Sequence, residues 1–163
     1  MTEPAPQRHD DFPARILRSA DPQKPSLPAT PADKLVLAVV PATSALAAAR
    51  DAVRAFLRRL TVPEDAVCDV VLSLDEACKN AIRFSGSRCP IDVTIATDAS
   101  DVSLEVRDHG VGFEPRPIDP AVPPDPLETQ GRGLFLMACL MDDVRVACDQ
   151  GTVVTMRKTV APR

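Results

Sequence analysis

Apolar residues change their spacing several times along this chain, and each change marks an element. The run KLVLAVVP, Lys34 to Pro41, is apolar, β-like and stopped by proline, which predicts a short strand. In TSALAAARDAVRAFLRRL, Thr43 to Leu60, the apolar residues Leu46, Val53, Phe56, Leu57 and Leu60 form one face of a helix with a Thr or Ser start signal. A second helix begins near Thr61, tolerates Pro63 in its first turn, and carries a stripe of Val67, Val70, Val71, Leu74, Cys78 and Ile82. After Gly86 the period becomes two: IDVTIAT and VSLEVRD alternate on either side of a polar DASD and predict an antiparallel hairpin. The loop DHGVGF follows, then a proline-rich segment, then GRGLFLMACLM as a third helix. DVRVAC and TVVTMRK, turned at Gly151, read as a closing hairpin. Helix, helix, hairpin, glycine loop, helix and hairpin make an α+β fold, a two-layer sandwich with helices on one face of a mixed sheet. No internal repeat is present.

Composition narrows the domain plan. The 163 residues, 45% hydrophobic, suit one domain. Residues 1 to 33 carry Pro4, Pro6, Pro13, Pro22, Pro25, Pro28 and Pro31 among charged and small polar residues, which predicts a disordered tail ahead of a folded domain over 34–160. A net charge of −4 lacks the basic footprint of a nucleic-acid binder. No apolar run reaches the roughly 18 residues of a membrane span, and the opening MTEPAPQRHDDF has no secretory pattern. The expected location is the cytoplasm, with no membrane or nucleic-acid partner. The five cysteines, Cys68, Cys78, Cys89, Cys139 and Cys148, are odd in number and without CxxC spacing, and are expected to serve as small buried hydrophobes.

Chemistry is concentrated in three places. Glu76 and Asn80 lie four apart on the second helix and so project together, two oxygen donors suited to a hard cation, with Ala77 and Ala81 leaving room around them. Of only six glycines, four form two G-x-G pairs: Gly110 and Gly112 directly after a strand, Gly131 and Gly133 directly before a helix. Glycine permits close backbone approach, and a helix start attracts phosphate through free N–H groups and its dipole. Gly131-Arg132-Gly133 therefore reads as a phosphate cradle, with Arg132 as an added cation or as a solvated side chain. Taken singly, each place also reads as ordinary structure: a solvent-facing helix edge, a turn, a flexible helix start.

In order, an E-x-x-x-N helix, a D-x-G-x-G loop, a variable lid, a G-x-G helix start and a final G-T strand resemble the Bergerat-fold ATPases, also called the GHKL superfamily. Within it, DEACKNAIRFSG and GRGLFLMACLMDDVRV are most similar to the bacterial anti-sigma factor serine/threonine kinases, over roughly Lys34 to Lys158. The resemblance implies a mostly antiparallel sheet, ATP and Mg²⁺ as cofactors, and phosphorylation of a STAS-domain anti-sigma-factor antagonist. It also implies a sigma factor as second partner, a homodimer and a role in transcription regulation. Residue by residue, Asn80 would hold Mg²⁺ through its amide oxygen, and Glu76 would orient or deprotonate the attacking hydroxyl. Asp108 would accept from the adenine amino group, with Thr152 supporting that contact. Gly110 and Gly112 would let the loop pass the base, while Gly131 and Gly133 would close the lid over the phosphates.

Family members often carry histidine where Phe84 stands, and Arg83, three after the asparagine as in histidine kinases, reads as a phosphate contact or as solvated. The lid, Glu114 to Gln130, holds six prolines and is expected to be short and stiff. Arg50, Arg54 and Arg58 recur at i+4 on the first helix, either as a solvated face or as a partner-docking face. Two other functions remain open at this level. One is a non-catalytic ATP-binding module acting by contact, which retention of Glu76 disfavours. The other is a detached histidine-kinase catalytic domain, which the lack of acceptor helices disfavours.

Overall fold

A computed structural model of the chain describes residues 16–18 (backbone only), 27, 31–112, 131–148 and 150–160. Six strands form one sheet: β1 (Ile16–Arg18), β2 (Asp33–Val39), β3 (Ile91–Thr97), β4 (Asp101–Arg107), β5 (Asp143–Cys148) and β6 (Thr152–Thr159). Their order is β1-β5-β6-β4-β3-β2, with β1 parallel to β5 and every other pair antiparallel. The sheet is therefore mixed and mostly antiparallel.

Strand periodicity decides which side carries the core. Helix-facing residues line up across the register as Leu35, Ile95, Leu104, Met156 and Val144, and again as Leu37, Val93, Val106, Val154 and Val146. Against this face lie helices α1 (Leu46–Arg59), α2 (Glu64–Phe84) and α3 (Arg132–Leu140). Val53, Leu57, Val67, Val70, Leu74, Cys78 and Met137 are buried in the same cluster. Burying each large apolar side chain contributes about 1.5–3 kcal/mol, so the two aligned rows and the helix stripes hold the layers together. On its other face the sheet presents Glu105, Arg145, Arg157 and the exposed Val36.

Local chemistry explains the boundaries. The hairpin turn between β3 and β4 closes on the Asp98 carboxylate, which accepts from the backbone N–H groups of Ser100 and Asp101 at 2.9 and 2.8 Å. Those bonds, chiefly Ser100's, hold the Asp98 pKa below the usual carboxylate value. The start of α1 differs from the sequence expectation: Thr43–Ala45 form a 3₁₀ turn, and Ala45 caps α1 with no side-chain hydrogen bond. Pro63 caps α2, and Glu64 and Asp65 place negative charge in its first turn, where the helix dipole favours it.

Two other expectations meet a different arrangement. Within the stretch read as a disordered tail, Ile16–Arg18 form β1 on the edge of β5, whose outer N–H and C=O groups need partners. Positions 1–15, 19–26 and 28–30 lie outside the described residues, as does the whole lid, 114–130. Of the five cysteines only Cys78 is buried; Cys68, Cys89, Cys139 and Cys148 are exposed, which corrects the reading of all five as core residues. Cys68 lies next to the stripe, off its axis. Burial, with the Asp75 charge adding, pushes the Cys78 thiol up to about 12. Iodoacetamide at neutral pH is thus expected to label the other four in the folded chain and Cys78 only after denaturation. Peptide mass spectrometry before and after denaturant reads this directly, and rapid labelling of native Cys78 would show an open core.

Candidate functional site

Residues predicted from three separate segments meet where α2, α3 and the ends of β4 and β6 converge. Alternation along β4 sends Val102, Leu104 and Val106 toward the helices, and the next position in phase is Asp108. An acid thus takes a place the pattern reserves for an apolar side chain, and it is 6% exposed. Its Oδ1 accepts from Gly110 N at 2.8 Å and Thr152 N at 3.1 Å, while its own N–H donates to the Thr152 carbonyl at 2.9 Å. Oδ2 has no hydrogen-bond donor among the described residues. One oxygen is held in place and the other is left to accept.

Glycine permits this geometry at two points. A Cβ on Gly110 would overlap the Ser85 backbone, and Val111 N donates to the Ser85 carbonyl at 3.1 Å, so the loop is seated on the C-terminal end of α2. A Cβ on Gly151 would overlap the Asp108 carbonyl oxygen, and Gly151 has φ +124°, a region L side chains rarely adopt. Gly112 stands beside Gly151 and Cys148. His109 of the same loop reaches Asp92 on β3, Nε2 to Oδ2, at 2.8 Å.

Across a narrow cleft from Asp108 stands Asn80. Ala77, Asn80, Ala81 and Phe84 of α2 line one wall, Val106, Asp108, Thr152 and Val154 the sheet side, and Leu134 the α3 side. Apolar walls with a few polar groups suit a planar heterocycle carrying an amino group. Free space in the cleft is about 10 Å³, room for one water molecule. The α3 wall sits close: a Cβ on Gly133 would lie 3.1 Å from Glu76 Oε2 and 3.4 Å from Asn80 Oδ1. Gly131 caps α3 in the left-handed region, φ +87°, with nothing within 4 Å of where its Cβ would be. The start of α3, the positive end of its dipole, therefore faces Glu76 and Asn80.

The remaining sequence candidates take other places. Arg83 is exposed, its guanidinium 5.8 Å from the Phe84 ring centroid. Arg132 is exposed at the first position of α3. Along α1, Arg50 pairs with Asp75, Arg54 with Asp51 and Arg58 with Glu64. Sequence reasoning read Gly151 only as a hairpin turn and as part of the G-T strand, without its close approach to Asp108, and it passed over Lys79. Lys79 lies four after Asp75 and three after Glu76 and pairs with both; two acids at those offsets were its signal.

Comparisons with known proteins bear on the family and the fold. The family described as histidine kinase-like ATPase domain matches residues 39–158. The serine-protein kinase RsbW of Bacillus licheniformis is 30% identical over 108 residues, covering 58% of this chain and 65% of that protein. RsbW of Bacillus cereus is 30% identical over 111 residues, covering 63% of this chain and 69% of its own length. The chain thus spans about two thirds of the length of these curated relatives. Among solved structures, the RsbU and RsbW domains of Rv1364c from Mycobacterium tuberculosis superpose with a TM-score of 0.60 at 19% identity, covering 82% of this chain and 34% of that one. The SiaB-SiaC complex from Pseudomonas aeruginosa gives a TM-score of 0.56 at 13% identity, covering 77% of this chain and 88% of that one. At those identities the two structures speak for the fold alone.

Proposed function

The chain belongs to the histidine kinase-like ATPase domain family, and on that premise we propose that it is a protein serine/threonine kinase that phosphorylates a regulatory protein partner. The observation that carries this reading is that Asn80 and Asp108 line one cleft while Gly133 at the start of α3 stands beside both Glu76 and Asn80. A nucleotide there would set its base at Asp108 and its phosphates toward Asn80 and α3.

The donor set fits ATP and Mg²⁺. Asp108 offers Oδ2 to an exocyclic amino group while Thr152 and Gly110 fix the carboxylate. Among the described residues no three acidic, histidine or cysteine side chains gather to cage a metal. A single amide oxygen from Asn80 suits Mg²⁺, which keeps waters and substrate phosphates as its other ligands. When bound, Mg²⁺ supplies charge neutralisation at the phosphates. Glu76 Oε2 takes the proton of the incoming serine or threonine hydroxyl. As that oxygen bonds to the γ-phosphorus, the bond to the bridging oxygen breaks and ADP leaves with the electron pair. Gly133, lacking a Cβ, lets the α3 backbone come within reach of the transferred group.

The RsbW names of the curated relatives support an anti-sigma factor kinase, and the finer reading is partner switching. The acceptor is a STAS-domain antagonist, and the alternative partner is a sigma factor held by contact. A homodimer and a cytoplasmic location complete the proposal. Among the described residues no helix is long and apolar enough to cross a membrane. Incubating the chain with [γ-³²P]ATP, Mg²⁺ and the STAS-domain protein encoded nearest to it is expected to give acid-stable phosphoserine or phosphothreonine. Mg²⁺-dependent ATP binding without any phosphoprotein would favour the contact-only module. Acid-labile phosphohistidine would favour the detached histidine-kinase domain.

A further inference from the structure

Glu76 does not stand alone on α2. Its Oε1 lies 3.0 Å from Lys79 Nζ, while Oε2 faces Gly133 at the start of α3. The same ammonium lies 2.7 Å from Asp75 Oδ2, and Asp75 Oδ1 accepts from Arg50 Nη1 of α1 at 3.0 Å. Asp75 is only 7% exposed, and a buried carboxylate must be paired to be tolerated. It uses one oxygen on each cation. The four side chains form a neutral chain from α1 to Glu76: guanidinium, carboxylate, ammonium, carboxylate.

A surface Glu–Lys pair three residues apart is weak, because two long side chains lose freedom to make it. Here the lysine is held from a second side by a carboxylate that is itself buried and tethered, so little freedom remains for Glu76 to remove. Both acids precede the lysine along the helix, the favoured order for such pairs. Hydrogen bonds that the Lys79 ammonium donates to Asp75 first and Glu76 second raise its pKa above the usual lysine value.

We propose that Lys79 is a positioning residue for Glu76: anchored by Asp75, it occupies Oε1 and directs Oε2 toward the start of α3. The proposal rests on reading Glu76 as the residue that receives the hydroxyl proton. Lys79 is about half exposed, so Lys79→Met removes the ammonium without opening the core.

The test uses the full chain with Mg-ATP, water serving as phosphoryl acceptor, and three readouts. These are phosphate release, calorimetric ATP affinity, and ¹³C relaxation of the Glu76 side-chain carboxyl. Lys79→Met is expected to leave ATP affinity unchanged, to lower turnover by up to about 10²-fold, the cost of a catalytic group misplaced by roughly 1 Å, and to make the Glu76 carboxyl mobile. Lys79→Arg restores most of the order and rate, and Lys79→Met causes no further loss when added to Glu76→Gln. An unchanged carboxyl mobility in Lys79→Met overturns the proposal, as does a loss of ATP affinity that makes Lys79 a phosphate ligand. If the wild type releases no phosphate to water, turnover is read as phosphotransfer to the STAS-domain partner, failure of which in Glu76→Gln tests the base reading by itself, and the relaxation measurement still decides whether Lys79 holds the carboxyl.

Discussion

Glu76→Gln is expected to bind Mg-ATP as tightly as the wild type and to lose phosphoryl transfer by roughly 10²–10⁴-fold, the usual contribution of a positioned general base. The amide keeps the size of the side chain and an oxygen for Lys79, but it cannot take a proton at neutral pH. Its neighbours should stay in place, because Asp75 holds Lys79 independently of Glu76. Nucleotide affinity should also hold, since base recognition is assigned to Asp108 and metal binding to Asn80. Calorimetry and single-turnover phosphotransfer on the same preparation separate the two effects. A fall in ATP affinity that parallels the fall in rate would move Glu76 from base to ligand, and an unchanged rate would remove it from the chemistry.

Gly110→Ala is expected to abolish tight nucleotide binding and to cost about 1–3 kcal/mol of stability or more, the range for overpacking a filled site. The added Cβ overlaps the Ser85 carbonyl oxygen, Cα and carbonyl carbon. These are backbone atoms at the C-terminal end of α2 and cannot rotate aside. Relief requires the loop to lift from α2, which pulls Gly110 N away from Asp108 Oδ1 and Val111 N away from the Ser85 carbonyl. Asp108 then loses one of the two donors that fix its carboxylate. Gly131→Ala is the control. Nothing lies within 4 Å of that Cβ, so only the left-handed backbone resists, at φ +87°, for about 1 kcal/mol. Thermal unfolding with and without Mg-ATP compares the pair, and equal ligand-induced shifts in Gly110→Ala and the wild type would show that Asp108 does not depend on the loop.

Much of the site was legible because its signals are local. The i, i+4 offset placed Glu76 and Asn80 side by side, while Asp108 was singled out only by the D-x-G-x-G resemblance. Glycine placement marked the loop after β4 and the start of α3, which the fold brings against α2. Misreadings arose where composition stood in for phase: Cys68 and Cys139 have apolar neighbours, yet each points off its helix's buried stripe. A Thr or Ser start for α1 was expected from residue type, and a 3₁₀ turn took its place.

Contacts between distant segments had no such local signal. Arg50 and Asp75 are 25 residues apart, and Asp108 and Thr152 are 44 apart. Ser85 meets Gly110 only because β4 returns the chain to the C-terminal end of α2. By itself the sequence determined the three helices and strands β2 to β6, the side of each that is buried, and the family the boxes resemble, because periodicity and glycine freedom act over a few residues. Only the tertiary structure decided that Arg50 of α1 anchors Asp75 behind Lys79, that Gly133 seats α3 against Glu76 and Asn80, and that Gly110 cannot bear a side chain. Those outcomes depend on how the helix layer docks on the sheet, and docking is set by the summed fit of many side chains rather than by any one stretch of sequence.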